Sequence, residues 1–112
     1  MDQQDQQELM QLQQQLQTVM MQKERLETEK EEVENALDQI GDADDEELYR
    51  SVGELLIQRD ASQLQDELEE ERDDLEMKIE SMQRKEDQLK QKLQQSQADM
   101  RGDQPGDGSV AS

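Results

Sequence analysis

Between Leu9 and Ile40 the apolar residues return at alternating steps of three and four: Leu9, Leu12, Leu16, Val19, Leu26, Val33, Leu37 and Ile40. With Leu9 at heptad position a, the other a positions are Leu16, Lys23, Lys30 and Leu37. Leu12, Val19, Leu26, Val33 and Ile40 fall at d. A stripe that keeps phase over so many turns predicts a coiled-coil helix, because it holds one apolar face toward a partner. Gly41 supplies a stop. Past the acidic connection Asp42 to Glu47, two short runs, Leu48-Tyr49-Arg50-Ser51-Val52 and Leu55-Leu56-Ile57-Gln58-Arg59, flank Gly53-Glu54. That pattern predicts a β-hairpin with a two-residue turn. Continued helix is the competing reading, since Glu54, Leu55 and Leu56 are good helix formers. Asp60 then stands as an N-cap, with Gln63 placed for a capping box. A second seam follows, with Ala61, Leu68, Leu75, Met82 and Leu89 at d and Gln65, Arg72, Ile79, Glu86, Leu93 and Met100 at a.

The predicted fold is mainly α: an antiparallel two-helix coiled-coil hairpin with a short β-hairpin between the helices. Residues 1–100 form one unit, with helices at about 5–40 and 61–100 and the hairpin at about 47–59. Residues 101–112, acidic and Gly-rich, read as a disordered tail. The antiparallel register with most apolar matches pairs Leu12 with Leu93, Leu16 with Leu89, Leu26 with Ile79 and Leu37 with Leu68. It leaves Lys23, Lys30 and Arg72 at core layers, where long stems cover apolar surface and the charges reach flanking acids. Alternation puts Leu48, Val52, Leu55 and Ile57 on one face of the hairpin and Tyr49 and Leu56 on the other. A lone two-stranded hairpin is marginal in water, and its edges invite pairing. Several copies joined into an intersubunit β-barrel would satisfy both faces.

Composition narrows the function. Only 29% of the chain is hydrophobic, 38% is charged, and Tyr49 is the sole aromatic residue. That inventory excludes a compact globular core, and the unbroken heptads argue against an acidic disordered chain. With no Cys and no His, thiolate nucleophiles, the usual zinc sites and imidazole bases are missing. Carboxylate pairs lack an apolar pocket to raise a pKa, and no phosphate-binding glycine loop is present. The chain is expected to be non-enzymatic, without cofactor or metal. No apolar run approaches the roughly 20 residues that span a bilayer, and the acidic, Gln-rich N-terminus is neither signal nor transit peptide. A cytoplasmic protein is expected.

Lys and Arg number 12 against 31 Asp and Glu, a net charge of −19, which disfavours nucleic acid and anionic membranes as partners. In molar salt the Debye length falls to ~3 Å and the repulsion is screened, so a salt-rich cytosol, as in a halophilic archaeon, is expected. An acidic coiled coil of an ordinary cell is the alternative. The acidic run Glu67 to Asp74 reads as a solvated helix face rather than an ion site, and Arg101-Gly102-Asp103 as a chance tripeptide. Met1, Met10 and Met100 fall near the helix ends with Leu9, Leu12 and Leu93. Adaptable Met side chains there suit a promiscuous binding surface, although Leu12, Leu89 and Leu93 are equally well read as buried seam residues.

Gln13-Gln14-Gln15-Leu16-Gln17, Val19, Gln22-Lys23 and above all Tyr49-Arg50-Ser51-Val52-Gly53-Glu54-Leu55-Leu56-Ile57, followed by a second heptad helix, resemble the beta class of archaeal prefoldin subunits. The resemblance covers roughly Leu9 to Met100, and a single hairpin fits the beta class, since alpha-class subunits carry two. The extreme acidity and the Gly/Asp-rich tail depart from the usual pattern. The resemblance implies a chaperone subunit of a hetero-hexamer, two alpha-class to four beta-class chains. Its hairpin residues Leu48, Tyr49, Val52, Gly53, Leu55, Leu56 and Ile57 would build a barrel platform. Its coiled-coil tips would grip unfolded proteins without ATP and pass them to a group II chaperonin. The tip candidates are Leu9, Met10, Leu12, Leu93 and Met100. A structural coiled-coil scaffold or tether is the alternative function.

Overall fold

The structure, a computed structural model, describes residues 3–41 and 48–102, with side chains as far as Asp99. Helix α1 spans Gln3–Gly41 and helix α2 spans Ala61–Gly102; between them in the chain lie β1, Leu48–Val52, and β2, Leu55–Arg59. Two long helices with a short antiparallel β-hairpin between them are what the apolar spacing predicts. The connection 42–47 and the segment 103–112 lie outside the described residues, so the expected tail is described only where α2 runs two residues into it.

The fold comprises two compact units. In one, Glu24–Ile79, the α1 and α2 segments run antiparallel. Ile40, Leu64 and Leu68 form the buried cluster, and Val33, Ala36, Leu37, Leu48 and Ala61 pack against it. Leu75 is buried as well. Lys30 Nζ reaches Glu76 Oε1 at 3.4 Å, and Arg72 Nη2 reaches Asp73 Oδ1 at 3.4 Å. Both cations thus stay at the seam with their charges on neighbouring acids. The first turn of α2 departs from the expected frame: Leu64 is buried, and Gln65, the expected a residue, is exposed. Asp60 sets that turn. Its Oδ1 accepts the Gln63 N–H at 2.8 Å, and its carbonyl accepts the Leu64 N–H at 3.0 Å. Ala61 and Leu68 keep their expected places at the core, and Leu64, three residues after the one and four before the other, is buried with them.

In the other unit, residues up to Lys23 group with those from Glu80 onward. Among its described residues Val19 and Glu86 are buried, and Leu9, Leu12, Leu16, Met82, Leu89 and Leu93 are half-buried. Thr18, a poor helix former, satisfies its hydroxyl within the helix: Oγ1 donates to the Gln14 carbonyl at 3.0 Å. Among the described residues no large side chain is sealed from solvent completely.

Candidate functional site

The hairpin is built as its sequence demands. Gly53 takes φ +60°, and a Cβ there would meet nothing within 4 Å. The glycine answers a need of backbone conformation, not of space, as a two-residue hairpin turn requires. The register pairs Leu48 with Arg59, Tyr49 with Gln58, Arg50 with Ile57, Ser51 with Leu56 and Val52 with Leu55. Directly opposed residues share a face, so Leu48, Val52, Leu55 and Ile57 lie together, and Tyr49 and Leu56 lie on the other side.

The same alternation gives the first face two arginines, whose role the sequence reading missed. Arg50 Nη1 donates to Glu67 Oε2 at 3.2 Å and Nη2 to Glu71 Oε1 at 2.8 Å, while Arg59 Nη2 stands 3.2 Å from Glu67 Oε1. Glu67 and Glu71 are one helical turn apart, so a single guanidinium fork bridges them. The Arg50 pKa is raised, first by its hydrogen bond to Glu71. The acidic run of α2 is therefore not wholly a solvated face: two of its carboxylates clamp the hairpin. The signal was available, since Arg50 and Arg59 share strand parity with Leu48.

Beyond this clamp most of the apolar side chains of the hairpin are exposed. Tyr49, Val52, Leu55 and Leu56 are 52%, 50%, 66% and 71% exposed, and Ile57 is 37% exposed. Leu48 turns inward and packs on the helix cluster. The sheet has only these two strands, so among the described residues each strand keeps an edge without a partner strand.

Toward the other helix ends, Leu9, Leu12 and Leu93 are half-buried and Met10 is exposed. Met10 shares a shallow groove with Leu16 and Met20. Met100 lies in α2, and its side chain is outside the described residues. Within this unit the seam carries a polar layer. Glu86, 4% exposed, takes Lys23 Nζ at 2.8 Å on Oε1 and Lys90 Nζ at 3.0 Å on Oε2; Lys23 also donates to Gln83 Oε1 at 2.9 Å. Hydrogen bonds from Lys23 and then Lys90 hold the Glu86 carboxyl below its ordinary pKa. Burial acts in the opposite direction and is outweighed. Lys23 was expected to reach a flanking acid; it reaches a seam acid instead. Among the described residues no group of acids is disposed to hold a metal ion.

The sequence profile of prefoldin subunits matches residues 3–106. The chain belongs to the prefoldin family. Among solved structures it is similar to the prefoldin beta subunit from Thermococcus strain KS-1, at 33% identity over 89% of each chain, with a TM-score of 0.82. It shares the fold of the prefoldin beta2 subunit from the same strain, at 22% identity over 79% of this chain and 95% of that one, with a TM-score of 0.72. Among curated proteins no sequence matches. Prefoldin proteins are chaperones rather than enzymes and act as complexes of subunits, and both similar structures are archaeal beta subunits. Among the described residues no helix is long and apolar enough to cross a membrane.

Proposed function

We propose that this chain is a beta-class subunit of a cytoplasmic, ATP-independent prefoldin holdase. It joins an alpha-class subunit and further copies of itself, two alpha to four beta, through its β-hairpin. It binds unfolded polypeptides at the coiled-coil ends and delivers them to a group II chaperonin. The observation that carries this reading is the hairpin: clamped to α2 by Arg50 and Arg59, yet with Tyr49, Val52, Leu55 and Leu56 at least half exposed over two faces. A scaffold that merely interrupted its coiled coil would have no use for such a surface. The net charge of −19 suits a salt-rich cytosol in which carboxylate repulsion is screened.

Client binding falls to Leu9, Met10, Leu12, Leu93 and Met100. Each such side chain, if fully covered by a client, contributes roughly 1.5–3 kcal/mol, and several tips acting together hold a chain through multivalency. Changing Leu9, Met10, Leu93 and Met100 to Ser in the assembled protein should abolish suppression of client aggregation and leave the assembly mass intact. Undiminished protection by that variant would move client binding elsewhere.

A further inference from the structure

The charge of this chain is not spread evenly. Glu24–Ile79 holds 22 of the acids and 6 of the bases, a net −16. No acid lies between Glu8 and Glu24, and residues 84–98 of α2 contain only Glu86 and Asp87. Together, residues 9–23 and 84–98 carry Lys23, Arg84, Lys85, Lys90 and Lys92 against those two acids, a net of +3. The Glu86 charge is already met by Lys23 and Lys90. Lys85 and Lys92 are exposed and, among the described residues, take part in no ion pair.

Both lysines line one open groove of about 570 Å³ between the two helix segments of this unit. Seven positions apart, they share a helix face and stand ~10 Å from each other along it. Gln88 lies between them, Gln14 and Gln15 line the facing helix, and Val19 and Leu89 contribute apolar surface. Amides can donate to and accept from an extended backbone, apolar groups receive alternate side chains, and the lysines attract carboxylates.

We propose that this groove seats acidic stretches of unfolded polypeptide, so that clients are selected by negative charge as well as by apolar content. The inference rests on the chaperone reading and names the substrate class of that function. Charge complementarity fixes the occupant. A basic segment meets two exposed ammonium groups, whereas an acidic one is drawn to the single positive section of a polyanionic chain. Nucleic acid fits poorly, because two lysines neutralise too few phosphates against the charge elsewhere in the chain.

The test uses the full chain in its native assembly, at the lowest salt that leaves helicity and mass unchanged. Three labelled unfolded peptides share the same apolar residues and carry Glu, Lys or Gln at the remaining positions. The Glu peptide should bind more tightly than the Lys peptide. Lys85→Gln with Lys92→Gln should weaken the Glu peptide by roughly 2- to 30-fold, the range two exposed ion pairs span. The Gln peptide should be unaffected, Lys85→Arg with Lys92→Arg should restore binding, and added salt should weaken the preference without removing it, since pairs in direct contact lie within the ~3 Å Debye length of molar salt. If all three peptides bind equally, or the glutamine variant keeps the acid preference, the groove proposal is overturned and the chaperone reading stands. If none of the peptides binds, both fall.

Discussion

Lys23→Met is the most informative single change in the helical seam. Methionine keeps most of the apolar stem and removes the ammonium, so Glu86 loses its donor at 2.8 Å and Gln83 its donor at 2.9 Å. The remaining partner, Lys90, holds the other carboxylate oxygen at 3.0 Å from a side chain 51% exposed. Removing one member of a buried ion pair costs about 3–5 kcal/mol. Here the loss should be smaller, about 1–2 kcal/mol, because Lys90 stays on the other carboxylate oxygen and the Lys23 side chain is itself 20% exposed. Replacing both, Lys23→Met with Glu86→Leu, leaves no buried charge and should be near neutral or stabilising. Helix content followed through urea unfolding at one fixed protein concentration measures Lys23→Met, Glu86→Leu and the double variant, and the double-mutant cycle isolates the coupling. The pH dependence has a definite sign. The folded-state pKa of Glu86 lies below its ordinary 4.5, so its contribution is complete above that value and fades as pH falls through the depressed one. Subtracting the Glu86→Gln curve cancels the general relief of carboxylate repulsion in acid. A Lys23→Met variant as stable as the wild type, or a difference curve flat from neutral pH to below pH 4, would refute the reasoning.

Two further outcomes follow from the same geometry. Val52→Asp with Ile57→Asp should dissociate the assembly, because charge would enter a surface that assembly buries; helix content in high salt should persist, and an unchanged mass would exclude the hairpin as the joint. Lowering ionic strength from molar to millimolar should dissociate or unfold the protein as repulsion in Glu24–Ile79 is unscreened. Constant helicity and mass across that range would remove the salt-adapted reading and leave the fold untouched.

The elements that local chemistry decides were legible in the sequence. The α1 seam, the Gly53-Glu54 turn, the two hairpin faces and the Asp60 cap each depend on residues close together in the chain. What escaped depends on meetings across it. Leu64 is buried with Ala61 and Leu68 while Gln65 is exposed, a spacing that a frame with Gln65 at a passes over. Lys23 was expected to reach flanking acids and Glu86 was placed at a as a polar residue of its seam, whereas the two meet at 2.8 Å. The Arg50 and Arg59 clamp needed strand parity and helix spacing read together. The lysine-lined groove is invisible to a total charge of −19 and even to the net −3 of the unit that holds it, and appears only when residues 9–23 and 84–98 are counted by themselves.

The central claim is that the exposed hairpin joins subunits, and mass in solution tests it most directly. Co-expressed with an alpha-class prefoldin subunit and held in molar salt, the chain should sediment as a hetero-hexamer of two alpha and four beta chains. A monomer or a homodimer that excludes the alpha chain would contradict the account.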